Sequence, residues 1–143
     1  MNRLPPLTLV LGGCRSGKSE HAERLIRDSK PDRALYMATC PRGGEDPEME
    51  ARIARHRARR GPLWRTVEEP RELVGALLAT TAPGEPVLVD SLTLWLSSLL
   101  AVDADVPRET ESLTHALMGL PAEVVLVSDE VGMGLVPETA LGR

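Results

Sequence analysis

Leu7-Thr8-Leu9-Val10-Leu11-Gly12-Gly13-Cys14-Arg15-Ser16-Gly17-Lys18-Ser19 decides the fold class, because an apolar run passes directly into the spacing G-x-x-x-x-G-K-S. Such a loop must aim several backbone N–H groups at one anion. Gly12, Gly13 and Gly17 permit the positive φ angles and close approach that this cradle needs. Lys18 then offers a cation to the β- and γ-phosphates of a nucleotide, and Ser19 offers a hydroxyl to Mg²⁺. The pattern has force only when a buried strand precedes it and a helix follows. Both conditions are met, since Glu20 to Arg27 is rich in helix formers and places Ala22, Leu25 and Ile26 on one face. The positive end of that helix dipole points at the same phosphates.

Beyond this core, the spacing predicts an α/β protein in which strands and helices alternate. A buried strand is expected over 33–39, so that Ala38, Thr39 and Cys40 fall at the carboxyl end of the sheet, where ligands gather in open parallel sheets. Pro47 is suited to open the helix 48–60, in which Met49, Ile53 and His56 recur at i, i+4, i+7 amid arginines. A solvated basic face explains such a helix. So does a functional one, in which cationic surroundings keep the His56 imidazole neutral and nucleophilic while guanidinium groups match phosphate oxygens. Trp64 to Val67 is expected as a short strand with Glu68 on the following loop, and 70–78 as a helix with Leu73, Ala76 and Leu77 inward. The run Val87-Leu88-Val89-Asp90 has the form of a Walker B strand delivering a carboxylate toward Mg²⁺. An apolar helix over 91–100, a break at 103–107, a helix over 108–117 and a strand over 122–128 complete the order. That last strand ends in Asp129 and Glu130, two further acids for the active edge. His21 and His115 are read as structural or surface residues.

Composition narrows the function. The net charge of −4 gives no global basic field for DNA or RNA, and an aromatic content of 2% leaves little to stack bases on. Nucleic acid is therefore not an expected partner. No apolar run approaches the ~20 residues of a membrane span, so no membrane insertion is expected. Cys14 and Cys40 form no C-x-x-C pair and read as reduced thiols of a cytoplasmic protein. One domain over 1–143 is expected, with no repeats and no composition shift. The rival within this frame is a P-loop ATPase or nucleotide-binding module whose arginine-rich helix docks a partner.

Three segments, G-G-C-R-S-G-K-S at 12–19, A-R-I-A-R-H-R at 51–57 and V-V-L-V-S-D-E-V-G-M-G-L-V-P-E at 124–138, together resemble the adenosylcobinamide kinase/adenosylcobinamide-phosphate guanylyltransferase family of cobalamin biosynthesis. The resemblance runs from Leu7 to about Leu141, and the E-V-G-M-G-x-V-P-E segment is its most specific part. It implies a RecA-like P-loop NTPase fold with a mostly parallel sheet. It also implies two reactions: phosphorylation of adenosylcobinamide from a nucleoside triphosphate, ATP or GTP, and conversion of that phosphate to adenosylcobinamide-GDP through GMP carried on His56. The family's nucleotide contacts fall on Gly12, Gly13, Cys14, Arg15, Ser16, Gly17, Lys18 and Ser19, then Ala38, Thr39 and Cys40. They continue on Arg57, Ala58, Arg59 and Arg60, on Glu68 and on Asp90. A homo-oligomer, a trimer, is implied as well. This chain has Arg55-His56 where members often carry two histidines, and Asp90 where several carry Glu. Members also continue past the V-P-E segment, so the resemblance implies a chain shortened at its C-terminal end.

Overall fold

The computed structural model describes residues 3–13, 16–41 and 47–130; the side chains of residues 49, 52, 56 and 59 lie outside that description. Five strands form one sheet: β1 (Leu7–Gly12), β2 (Ala34–Ala38), β3 (Trp64–Glu68), β4 (Val87–Asp90) and β5 (Val124–Asp129). Their order is β1-β5-β4-β2-β3, and every pairing is parallel. Five helices, α1 (Lys18–Asp28), α2 (Pro47–Arg60), α3 (Leu73–Thr80), α4 (Leu92–Ala101) and α5 (Val106–Gly119), make the crossovers that parallel neighbours require. This is the α/β sheet expected from the alternating pattern. Among the described residues no helix is long and apolar enough to cross a membrane.

Alternate side chains on each strand divide the interior into two layers. Leu35, Met37, Val87, Val89, Val124 and Leu126 meet Leu73 and Leu77 of α3, Trp95 and Leu99 of α4 and Leu113 of α5. On the opposite face Tyr36, Leu88, Val125 and Val127 meet Val10, Ala22 and Ile26. A strand covered on both faces must be apolar at every position, which is why β2, β4 and β5 read as continuous runs. β1 lies at the edge, and there Leu7, Leu9 and Leu11 stay about half exposed.

Several boundaries differ from expectation, as α3 does in starting at Leu73 rather than at 70 and β5 in starting at Val124 rather than at 122; two of the differences have plain local reasons. Val106 and Pro107, assigned to a break, open α5: the Asp105 carboxylate accepts the Arg108 N–H, and a proline in the first turn has no N–H to leave unsatisfied. Glu68, assigned to a loop, is the last residue of β3 because it pairs in register with Ala38, and the ladder runs on through the Glu69 N–H to the Ala38 carbonyl. The span of α2 and its start at Pro47 match the pattern, while the side chains of Met49 and His56 lie outside the described residues.

Candidate active site

Parallel strands bring all their carboxyl ends to one edge, so Gly12, Asp129, Asp90, Ala38 and Glu68 line up there in the order β1, β5, β4, β2, β3. The phosphate loop leaves β1 at Gly12 and enters α1 through Gly17, whose φ of 82° lies in the left-handed region. No side chain caps this helix, which leaves its first N–H groups to serve an anion. A Cβ at Gly12 would stand 2.4 Å from Ser16 Oγ, a crowding that rotation of the serine side chain relieves, and of the loop glycines Gly12, Gly13 and Gly17, only Gly17 has the expected positive φ. The Ser16 N–H donates to the Gly13 carbonyl and closes the turn. Cys14 and Arg15 lie outside the described residues.

Lys18 and Ser19, the first residues of α1, point at two different acids. Lys18 Nζ lies 2.5 Å from Asp129 Oδ1 and donates to the Gly13 carbonyl at 3.1 Å. Ser19 Oγ donates to Asp90 Oδ2 at 3.0 Å. The Tyr36 hydroxyl donates to that same Oδ2. Tyr36 is buried, with the Trp64 ring edge-on at 5.8 Å and the Arg60 guanidinium 3.7 Å over its centroid. Burial first, then the neighbouring Asp90 carboxylate, pushes the phenol far above its ordinary pKa, so it stays a donor. Together, Asp90 is gripped by groups from α1 and β2 while β4 supplies its backbone.

Around this centre the remaining residues divide by role. The Thr39 hydroxyl is fully buried; it donates to the Ser91 carbonyl and accepts the Ser91 N–H, fixing the turn after Asp90. Ser91 in turn caps α4 by accepting the Leu94 N–H. The Thr93 hydroxyl accepts the Asp129 N–H, which ties the end of β5 to α4. Ala38 and Cys40 lie half-buried beside Asp90's strand, and Cys40 forms no disulfide among the described residues. On the far side, Arg57 of α2 pairs with Glu68 at 3.0 Å, while Ala58 is exposed. Arg60 is turned inward onto Tyr36, its NH2 group within 3.4 Å of Thr66 Oγ1, and its carbonyl accepts from Arg27. Four strand spacings separate Glu68 from Gly12, about 19 Å, and both lie at the same edge of the sheet. His56 lies on α2, four residues before Arg60; its side chain and that of Arg59 lie outside the description, as does everything from Val131 onward. His21 and His115 are exposed.

One site residue, Tyr36, and one pairing, Lys18 with Asp129, escape the sequence reading. Asp129 was noted as an acid at a strand end, but nothing local announces its partner Lys18. Tyr36 looked like one more apolar strand residue; the available signal was that a buried phenol must find an acceptor.

Comparison with known proteins places the chain in a family. The family model described as cobinamide kinase / cobinamide phosphate guanyltransferase matches residues 8–143. The bifunctional adenosylcobalamin biosynthesis protein CobP of Pseudomonas aeruginosa is 49% identical over 138 residues, covering 94% of this chain and 78% of the relative. The bifunctional adenosylcobalamin biosynthesis proteins CobU of Escherichia coli and Salmonella typhimurium are 42% and 40% identical over 152 residues, each covering 96% of this chain and 82% of the relative. A phosphate loop on a parallel sheet, with an acid at the end of the strand opposite Ser19, thus occurs in a chain that belongs to the cobinamide kinase / cobinamide phosphate guanyltransferase family.

Proposed function

We propose that this chain phosphorylates the aminopropanol hydroxyl of adenosylcobinamide from ATP or GTP and then converts the product to adenosylcobinamide-GDP with GTP. The observation that carries the proposal is the convergence of Lys18, Ser19 and Asp90 at the carboxyl edge, where Arg57, the residue after His56, pairs with Glu68. In the kinase step Lys18 leaves Asp129 for the β- and γ-phosphates, and the loop N–H groups hold the triphosphate in line with the acceptor hydroxyl. The donor set of one hydroxyl and one carboxylate, hard oxygens 3.0 Å apart, fits Mg²⁺ with phosphates and waters completing its shell. When bound, Mg²⁺ supplies neutralisation of charge on the transferring phosphates.

In the second step an imidazole nitrogen of His56 attacks the α-phosphorus of GTP, the α–β P–O bond breaks and pyrophosphate departs. A phosphate oxygen of adenosylcobinamide phosphate then attacks the phosphoramidate, the P–N bond breaks and the imidazole is regenerated. Splitting one displacement into two is the usual gain of covalent catalysis. Arg57, held by Glu68, and the loop residues Gly12 to Ser19 bind the nucleotide; Ala38, Thr39 and Cys40 form the floor between them. A homo-oligomer, a trimer by resemblance, belongs to the same proposal and is read by light scattering.

The rival, a nucleotide-binding module docking a partner through α2, has one arginine fewer to dock with, since Arg60 is buried against Tyr36. Incubation with α-labelled GTP separates the two. The proposal expects an acid-labile, alkali-stable label that is lost in His56→Ala, while phosphorylation of adenosylcobinamide persists. Equal labelling of His56→Ala would remove His56 as the nucleophile, and no label on the wild type would favour the binding module.

A further inference from the structure

Tyr36 occupies a place where phenylalanine would pack as well, and yet it brings a hydroxyl into the interior. That hydroxyl goes to Asp90 Oδ2, the oxygen that also accepts Ser19. The ring is held in place: Trp64 stands edge-on at 82°, Arg60 lies over the ring at 3.7 Å, and only 4% of the residue is exposed. Arg60 is itself buried, and its own carbonyl is tied down by Arg27. The clamp therefore runs from the C-terminal end of the His56 helix, through an immobilised ring, to the carboxylate.

We propose that Tyr36 is a positioning residue for the metal side of the nucleotide site: its hydroxyl, locked by Trp64 and Arg60, fixes the rotamer of Asp90 so that the carboxylate meets Mg²⁺ together with Ser19. The proposal rests on the reading of Ser19 and Asp90 as that metal side. A carboxylate on a four-residue strand has rotameric freedom of its own, and two donors from elements 54 and 71 residues away in sequence remove it. Outer-shell groups of this kind set metal affinity by orienting the ligand, with losses of ~10–100-fold when they are removed. The ring of Tyr36 keeps its packing in Tyr36→Phe, so the variant deletes the hydroxyl alone.

The test uses the full chain and guanosine 5′-(α,β-methylene)triphosphate, whose α–β bond cannot be cleaved. Thermal stabilisation by this nucleotide is followed as Mg²⁺ is raised, for the wild type, Tyr36→Phe and Asp90→Asn. The wild type is expected to need Mg²⁺, Asp90→Asn to lose most of that dependence, and Tyr36→Phe to require about tenfold more Mg²⁺ for the half-maximal effect. Stabilisation without Mg²⁺ should be equal in the wild type and Tyr36→Phe. Unchanged Mg²⁺ dependence in Tyr36→Phe overturns the positioning role, whereas no Mg²⁺ dependence in the wild type overturns the reading of Ser19 and Asp90 beneath it. Because the chain has a single tyrosine, 3-fluorotyrosine places one fluorine reporter at position 36 without a mutation. Its ¹⁹F resonance should move on addition of Mg²⁺ with the nucleotide and stay fixed in Asp90→Asn. A wild-type resonance that ignores Mg²⁺ overturns the proposal even if Tyr36→Phe fails to fold.

Discussion

Alkaline titration of the metal-free protein reads one phenol, since Tyr36 is the sole tyrosine of the chain. Burial is the larger reason that this phenol resists ionisation; the Asp90 carboxylate adds to it through charge and hydrogen bond, Glu23 adds further, and the Arg60 guanidinium pulls the other way. The folded pKa is raised, so the native state keeps the proton where the unfolded chain, titrating near ~10, gives it up. The stabilisation is complete below the unfolded value and is lost as pH climbs past it toward the folded one. At about pH 11.5 the loss is ~2 kcal/mol, from ~1.36 kcal/mol per unit over the ~1.5 units above the free phenol. Tyr36→Phe has no such proton. The stability advantage of the wild type over Tyr36→Phe should therefore shrink by ~2 kcal/mol between about pH 8 and pH 11.5 in urea denaturation. Lys18, Lys30 and the arginines are common to both proteins and cancel. Tyrosinate absorbance should stay absent while the protein is folded and rise only with unfolding. A tyrosinate band growing in around pH 10 in folded protein would refute the buried contact with Asp90.

Further outcomes follow from the same geometry. Lys18→Ala should lower both reactions by ~2–4 kcal/mol of transition-state stabilisation, measured as rates at saturating nucleotide; near-normal rates would remove the phosphate loop from the chemistry. Asp129→Asn frees Lys18 from a carboxylate that competes with phosphate, so Kd for the triphosphate should fall several-fold by calorimetry while the ligand-free protein loses ~1 kcal/mol or less. Leu88→Ala, in the interior, should cost ~2–5 kcal/mol in denaturant unfolding, and Leu9→Ala, about half exposed on the edge strand, less than ~1.5 kcal/mol; equal costs would mean that the β1 face is covered in solution.

The fold was legible because its signals are local. G-x-x-x-x-G-K-S after an apolar run specifies strand, loop and helix within thirteen positions, and β2, β4 and β5 announce themselves as continuous apolar runs because both of their faces are covered. Asp90 was legible by the same means, as an acid closing such a run. What the chain order could not disclose is pairing across the sheet. Strand order puts β5 between β1 and β4, and only that insertion brings Asp129 to Lys18. Tyr36 and Arg60 each look ordinary in their own segments, a strand aromatic and one more arginine of a basic helix. Their stacking depends on how α2 crosses from β2 to β3, and no periodicity in α2 distinguishes an arginine that turns inward from those that stay in solvent.

A phosphate loop can close its turn with its own residues, as the Ser16 N–H to Gly13 carbonyl bond does. The position of Asp90 cannot be set locally, because the donors on its Oδ2 come from α1 and β2, and the buried pair that holds Tyr36 comes from β3 and the end of α2. Four elements must be docked before that carboxylate has one orientation. The half of the site that binds phosphate is thus encoded in a contiguous stretch, and the half that accepts the metal is a property of the assembled sheet. Perturbations of the loop should then act on nucleotide affinity with or without Mg²⁺. Perturbations of Tyr36, Trp64 or Arg60, none of which belongs to the motif, should act selectively on the Mg²⁺-dependent part.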